Sequence, residues 1–263
     1  MKENHLKRLL REKKPCIGAW LSIPSPFSAE RVAGLGFDWL VVDMEHNPIS
    51  IETAAAMFMA INTSNYTAPM ARIPWNNGEH IKRVLDAGAW GIVVPMVNSR
   101  AEAEEAVAAA MYPPKGYRSN GGGRYEVSFD ASRAEYTSKA NDEIVIVVQI
   151  EHIQAVERAE EILSVPGVDV GFIGPNDLMS SMGMIGKTDI NDPKVVEAID
   201  HVLKSAEKCG VAAGISLQNA QEVNARLGQG FRFLQLSSDM NMMMAALKGE
   251  LSRVVKMKNR YRG

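Results

Sequence analysis

The sequence predicts an α/β protein, a single (β/α)8 barrel domain over residues 1–263. Eight short apolar segments recur along the chain, and each is followed by a stretch with helical character. Several of these segments are apolar at every position, which is typical of parallel strands covered on both faces. The length suits such a barrel, and no linker, low-complexity tract or internal repeat divides it. An open doubly wound sheet is the competing fold, and it would usually need fewer strands.

Each predicted strand is an apolar run that ends where polar or turn-forming residues follow. Leu40, Val41 and Val42 illustrate the pattern, because neither face of this run is polar. The strands are predicted at residues 17–21, 37–44, 69–73, 91–97, 144–151, 168–177, 212–216 and 233–237.

Local signals mark where the connecting helices begin and end. Ser25 is a suitable N-cap, and Pro26 fits the first helical position after it. Alanine and glutamate, which are strong helix formers, fill residues 101–111. The last helix is predicted at residues 241–258. The methionines at its start are expected in the core or at an interface, and they are Met240, Met242, Met243 and Met244.

Composition excludes several classes of partner. The formal net charge is -2 and no long basic run occurs, so neither nucleic acid nor an anionic membrane surface is expected to bind. The N-terminus lacks an apolar signal core, and no apolar run approaches the ~20 residues that cross a bilayer. Cys16 and Cys209 match no metal or redox spacing, so we expect two reduced thiols in a cytoplasmic protein.

Polar side chains follow the predicted strands at the ends where barrel enzymes carry their active sites. Glu151 and Asp177 close the fifth and sixth strands, and two carboxylates that converge at one rim form a site for a hard divalent cation. Each residue alone has a structural explanation as a solvated strand end, whereas their combination favours catalysis. The complete set is Asp43, Glu45, His46, Arg72, Gln149, Glu151, Asn176, Asp177, Ser216, Ser238 and Asp239.

A proline- and glycine-rich stretch, residues 113–124, interrupts the alternation. It is long for a plain connection and comes after the fourth strand, so it is predicted at the catalytic rim. Its three consecutive glycines would suit a phosphate, but no Lys-Ser/Thr pair follows in P-loop register. We interpret it as a mobile segment whose Arg118 and Arg124 contact an anionic substrate. A flexible surface turn without that role stays open.

Five short motifs occur in order along the chain. They are Val-Asp-Met-Glu-His at 42–46, Ala-Arg-Ile-Pro at 71–74, Val-Pro-Met-Val at 94–97, Gln-Ile-Glu at 149–151 and Gly-Pro-Asn-Asp-Leu at 174–178. Each motif is weak by itself, but their order and spacing are specific over nearly the whole chain. Together they resemble the HpcH/HpaI aldolase family, whose members are class II pyruvate aldolases of the phosphoenolpyruvate/pyruvate barrel superfamily.

The resemblance implies that Glu151 and Asp177 bind a divalent metal ion, which is Mg²⁺, Mn²⁺ or Co²⁺. Two carboxylates neutralise a dication and leave the other octahedral positions for water and substrate. A 2-oxo acid chelates such an ion through a carboxylate oxygen and its ketone oxygen, and the ion then polarises the ketone.

The resemblance also implies roles for the other rim residues. Arg72 would hold the 2-oxo oxygen, where negative charge develops in the transition state. His46 would be the general base, with Asp43 accepting from its other ring nitrogen. Gln149 would contact substrate near the metal ion. The backbone N–H groups of Asn176 and Asp177 would receive the substrate carboxylate.

The implied reaction is the reversible cleavage of a 4-hydroxy-2-oxo acid to pyruvate and an aldehyde by a lyase. No predicted strand ends in a lysine, so no Schiff base is required. In the family the last helix packs on a neighbouring subunit, usually within a trimer of dimers, so a homo-hexamer is expected. The open alternatives are oxaloacetate decarboxylation, a macrophomate-synthase-like condensation, an acyl-CoA lyase and a non-catalytic sensor of 2-oxo acids.

Overall fold

Eight parallel strands close into a barrel in which each strand pairs with its sequence neighbours and β1 pairs with β8. The computed structural model of the chain describes residues 1–187 and 189–254. The predicted barrel is confirmed. The strands are β1 (Cys16–Leu21), β2 (Trp39–Asp43), β3 (Ala68–Arg72), β4 (Gly91–Val94), β5 (Val145–Ile150), β6 (Val170–Ile173), β7 (Ala212–Leu217) and β8 (Phe233–Ser238).

Helices cover the outside of the barrel, and most begin at a polar N-cap whose side chain accepts a backbone N–H. The predicted N-cap Ser25 is one example, because its hydroxyl accepts from the N–H of Ser28. The helices are α1 (His5–Arg11), α2 (Pro26–Ala33), α3 (Ile51–Asn62), α4 (Gly78–Asp86), α5 (Arg100–Ala110), α6 (Tyr125–Ser128), α7 (Arg133–Glu143), α8 (Ile153–Glu157), α9 (Ala159–Leu163), α10 (Pro175–Ser181), α11 (Pro193–Cys209), α12 (Ala220–Gly228) and α13 (Asp239–Arg253).

Aromatic side chains fill the barrel interior beneath its carboxyl end. The ring of Trp39 stacks on Phe233 with centroids 4.2 Å apart, and Phe172 meets Phe233 edge to face. Gly18 makes room for this packing, because a Cβ there would lie 2.0 Å from the Trp39 ring. Trp20 packs on both Trp39 and Phe172. The interior is therefore a solid core that closes the barrel from below.

The stretch at 113–124 lies at the opposite end of the barrel from the predicted site. Within this stretch the guanidinium of Arg118 is buried. It forms an ion pair with Asp86 at the end of α4 (2.7 Å) and lies over the ring of Tyr112. The N–H of Arg124 donates to the carbonyl of Asp86. The prediction of a rim segment in which both arginines contact substrate is wrong, because α5 first returns the chain to the amino end.

The last helix extends from the barrel with an exposed apolar surface. No residue of α13 is buried, and among its side chains Met243, Met244 and Leu247 are all largely exposed. Of the two locations expected for these methionines, the core is excluded for Met242 to Met244. The interface, with α13 packing on a neighbouring subunit, stays a prediction. The predicted end of this helix at residue 258 falls outside the described residues.

Among the described residues, no helix combines the length and the apolar character that crossing a membrane requires.

Candidate active site

A cavity of about 330 Å³ opens at the carboxyl end of the barrel, where parallel barrels carry their active sites. Trp20 and Phe172 line its floor. Apart from Arg118 and Arg124, the structure brings together the residues to which we assigned a catalytic, substrate-binding or metal-binding role. Those that line the cavity are Asp43, His46, Arg72, Gln149, Glu151, Asn176 and Asp177.

Arg72 is held rigidly between two carboxylates. Its Nε and one terminal nitrogen each donate to Asp43 at 2.8 Å, and its other terminal nitrogen lies 2.8 Å from Glu45. The strand register explains this pair, because Asp43 and Arg72 are direct neighbours on β2 and β3. A bidentate contact of this kind fixes the plane of the guanidinium. Two of its five N–H groups donate to Asp43, and the contact with Glu45 is an ion pair without hydrogen-bond geometry. At least two N–H groups therefore remain available to a ligand.

His46 does not pair with Asp43, which contradicts our prediction. The oxygens of Asp43 accept from Arg72, from the N–H of Glu45 and from the amide of Asn47. The His46 Nε2 instead lies 3.6 Å from a carboxylate oxygen of Glu45, and the imidazole is 63 % exposed. The cause is position along the chain. Asp43 is the last residue of β2 and points inward, whereas His46 lies three residues beyond the strand end.

Glu151 is buried in a cradle of fixed groups. One oxygen accepts from the N–H of Met96 (2.8 Å), which adopts a left-handed backbone conformation, and the other accepts from the Gln149 amide. A Cβ at position 174 would lie 2.6 Å from this second oxygen, so glycine is required there. Burial, reinforced by the negative charges of Glu45 and Asp177, raises the pKa of Glu151 to about 7.

Negative charge exceeds positive charge around this cavity. Burial also raises the pKa of Glu45 to about 7, opposed by Arg72 and reinforced by Asp43 and Asp177. Four carboxyl groups therefore surround one guanidinium, and a bound cation would relieve their repulsion. The Oε1 atom of Gln149 is buried and has no hydrogen-bond partner within residues 1–187 and 189–254. These features fit a divalent cation between Glu151 and Asp177.

The ligand set from the protein is small. Glu151 comes from the end of β5, and Asp177 is an exposed residue in the first turn of α10. The part of the chain that the structure describes contains no group of three or more His, Cys, Asp and Glu residues arranged around one ion. Glu151 and Asp177 are the two carboxylates that the sequence indicated. Their role as metal ligands stays a prediction.

Some rim residues have other functions from those the sequence suggested. The carboxylate of Asp239 accepts from the backbone N–H groups of Ser22, Ile23 and Met240, so it fastens the loop after β1 to the start of α13. Glu45, to which we had assigned no step, contacts both Arg72 and His46. Sequence reasoning missed Asn47, for which no motif or spacing gave a signal. It also missed the floor residue Trp20, whose place at the end of a predicted strand was a usable signal.

Because the pKa of Glu151 is raised, the free energy of unfolding should depend on pH. The unfolded carboxyl loses its proton near its usual 4.5 and the folded one only near 7, so the unfolded state binds fewer protons between these values. The free energy of unfolding of the metal-free protein should therefore fall as pH rises from 5 to 8, by on the order of 2–3 kcal/mol from Glu151. Urea unfolding in EDTA measures this slope. Glu151→Gln should have a smaller slope, and an unchanged slope would contradict the assignment.

Comparison with known proteins identifies the chain's relatives. Residues 16–246 match the family described as HpcH/HpaI aldolase/citrate lyase. A 4-hydroxy-2-oxo-heptane-1,7-dioate aldolase of Shigella sonnei is 38% identical over 251 residues, with 95% of each chain covered. A hydroxypyruvate/pyruvate aldolase of Rhizorhabdus wittichii is 36% identical over 245 residues, which cover 93% of this chain and 96% of that protein.

A solved structure agrees with these sequence matches. The crystal structure of an HpcH/HpaI aldolase/citrate lyase family protein from Burkholderia cenocepacia superposes with a TM-score of 0.89 at 34% identity, covering 95% of this chain and 99% of that one. The barrel, its polar rim and these relatives define a carbon–carbon lyase of the aldolase type. The chain belongs to the HpcH/HpaI aldolase/citrate lyase family, as its motifs predicted.

Proposed function

We propose that the protein catalyses the reversible, metal-dependent cleavage of a 4-hydroxy-2-oxo acid to pyruvate and an aldehyde. The observation that carries this proposal is the grouping of a rigid guanidinium with four carboxyl groups, two of them buried, around one cavity. Such a site suits a 2-oxo acid that binds together with a cation. Glu151 and Asp177 would hold Mg²⁺, Mn²⁺ or Co²⁺, which when bound supplies Lewis-acid polarisation of the 2-oxo group.

Arg72 would stabilise the charge that develops on the substrate. When the C3–C4 bond breaks, its electron pair moves into C3 and onto the 2-oxo oxygen, which gives the enolate of pyruvate. The two unoccupied N–H groups of Arg72 would donate to that oxygen. Asp43 and Glu45 hold the guanidinium in place before reaction, so little reorganisation is needed in the transition state.

His46 would move the protons. It would take the proton of the C4 hydroxyl, directly or through a water molecule, as the C4 oxygen becomes the aldehyde oxygen. A proton then added to C3 completes the methyl group of pyruvate. The imidazole is exposed, so it can reach both substrate and solvent.

The neighbouring polar groups would position the acid end of the substrate. Gln149 donates to Glu151, and its buried Oε1 accepts no hydrogen bond from the described residues, so it would accept one from a water molecule or a substrate hydroxyl. The N–H groups of Asn176 and Asp177 in the first turn of α10 would receive the substrate carboxylate.

The test is release of pyruvate from a panel of 4-hydroxy-2-oxo acids, measured with and without EDTA. The proposal expects release that EDTA abolishes and that added Mn²⁺ or Mg²⁺ restores. Turnover of oxaloacetate alone, with no turnover of any panel member, would instead indicate a decarboxylase. Release that EDTA does not affect would contradict the metal site.

We also propose that the protein works as a homo-oligomer built through the exposed apolar side chains of α13, with a hexamer as the expected form. A helix of 15 residues with no buried side chain is poorly stabilised by itself. Sedimentation velocity should give about six times the 28.8 kDa chain mass. A monomer at micromolar concentration would contradict this arrangement.

A further inference from the structure

Half of the cavity wall takes no part in the chemistry proposed above, and this half is neutral and polar. The charged groups lie on the side of β2, β3, β5 and β6. The other side is formed by β1, β7, β8, the loops after them and the start of α13. Its polar residues are Ser22, Ser216, Gln218, Gln235, Ser238 and Asn241.

Gln235 is the deepest of these residues and is incompletely hydrogen-bonded. It lies on β8 between Gly18 of β1 and Ser216 of β7, and it is 3% exposed. Its Nε2 donates to the carbonyl of Ser237 at 2.7 Å, so its orientation is fixed. Its Oε1 is buried and accepts no hydrogen bond from any described residue. A buried acceptor without a donor is unfavourable, so this atom is suited to a hydroxyl brought by a ligand.

The placement of the 2-oxo acid end decides which part of the substrate meets this wall, and here the inference rests on the proposed function. With that end between Glu151, Asp177 and Arg72, the rest of a 4-hydroxy-2-oxo acid extends across the cavity toward β7 and β8. Ser216 lies beside Gln235 in the strand register, and it also lines the cavity. The aldehyde portion would therefore contact the unpaired amide oxygen of Gln235 and the hydroxyl of Ser216.

The same wall is unsuited to a second carboxylate. No lysine lines the cavity among the described residues, and Arg72 is the sole arginine there. Its guanidinium is already paired with Asp43 and Glu45 on the other side. A carboxylate placed against Gln235 would be partly desolvated without a counter-charge, which is unfavourable.

We propose that the aldehyde partner of this enzyme is an uncharged hydroxyaldehyde, whose hydroxyl next to the carbonyl carbon donates to Gln235. The recognised substrate is then a 4,5-dihydroxy-2-oxo acid. An aldehyde that carries a carboxylate is disfavoured, and so is one with an alkyl group in place of the hydroxyl. Discrimination arises because the analogue without a hydroxyl leaves the Gln235 oxygen unpaired.

Three substrates test this proposal. They are the pyruvate adducts of glycolaldehyde, of propanal, which has a methyl in place of the hydroxyl, and of succinic semialdehyde. We expect kcat/KM for the glycolaldehyde adduct to exceed that for each of the others by about tenfold or more. In Gln235→Met the kcat/KM for the glycolaldehyde adduct should come to within about threefold of the kcat/KM for the propanal adduct. The hydrogen-bond acceptor is lost in this variant, whereas the side-chain volume is kept.

Two further variants make the test decisive. Gln154→Met changes an exposed glutamine of α8 outside the cavity and should keep the wild-type ratio. Ser216→Ala removes a single hydroxyl and should lower the ratio, so a result is obtained even if Gln235→Met does not fold. Preference for the propanal or the semialdehyde adduct, or an unchanged ratio in the folded wall variants, would overturn the proposal.

A separate measurement distinguishes this inference from the proposed function. Wild-type protein with Mg²⁺ should exchange the methyl hydrogens of pyruvate with deuterium oxide, which requires the enolate but no aldehyde. Exchange without preference for the hydroxylated substrate would overturn the inference alone. Absence of both exchange and cleavage would overturn the proposed function and the inference with it.

Discussion

Arg72→Lys is expected to lower kcat for cleavage by about 10²–10³-fold, with a smaller change in KM. The guanidinium is fixed by a bidentate contact to Asp43 and by Glu45, and it presents two further N–H groups to the cavity. A lysine keeps the charge but cannot satisfy both carboxylates and the developing oxyanion with one nitrogen. Because the loss concerns charge that develops during bond cleavage, it should appear mainly in kcat.

Two controls separate this effect from a loss of structure. Arg83→Lys, on the exposed face of α4, makes the same chemical change outside the cavity and should leave kcat unchanged. Pyruvate methyl exchange should slow in Arg72→Lys by about the same factor as cleavage, since both reactions pass through the enolate. A folded Arg72→Lys enzyme with full kcat would show that the guanidinium does not stabilise the enolate.

Glu151→Gln is expected to weaken Mn²⁺ binding by at least about 100-fold and to remove most activity. This lower bound follows from outer-shell partners, whose loss alone typically weakens metal affinity 10–100-fold. The glutamine has the same shape and can still accept from the N–H of Met96, so the fold should be retained. Isothermal titration calorimetry with Mn²⁺ measures the affinity without any dependence on turnover.

The matched variant is Glu160→Gln, an exposed carboxylate of α9 that pairs with Lys208. It should bind Mn²⁺ as tightly as the wild type. Asp177→Asn should resemble Glu151→Gln, because the remaining carboxylate neutralises half of the charge of the ion. Wild-type Mn²⁺ affinity in both Glu151→Gln and Asp177→Asn would mean that the ion, if it binds, lies elsewhere.

The strands and the composition of the rim were predictable because both depend on local pattern. Leu40 to Val42 is apolar on both faces, and this alone identifies a covered parallel strand. Once eight such strands are recognised, their carboxyl ends must meet at one rim, so Glu151 and Asp177 were expected together. The strand-end residues to which we assigned site roles all line the cavity, whereas Arg118 and Arg124 do not.

The contacts within the site were less predictable, because they depend on three-dimensional register. Asp43 faces Arg72 across two adjacent strands, and neither segment alone specifies this register. The prediction that Asp43 pairs with His46 was therefore wrong. Arg118 was misplaced for a topological reason, since a helix stands between the fourth strand and the stretch that contains it. The free oxygen of Gln235 depends on the exact orientation of one amide, which sequence does not specify.

The most direct test of the central claim is deuterium exchange into the methyl group of pyruvate, followed by mass spectrometry in Mg²⁺ and in EDTA. The reaction isolates enolate formation from aldehyde chemistry. We expect exchange in Mg²⁺ that is abolished by EDTA and by Glu151→Gln, and that is slowed by Arg72→Lys. Exchange that persists in EDTA, together with loss of activity when borohydride is added with pyruvate, would indicate a lysine Schiff base and contradict the account.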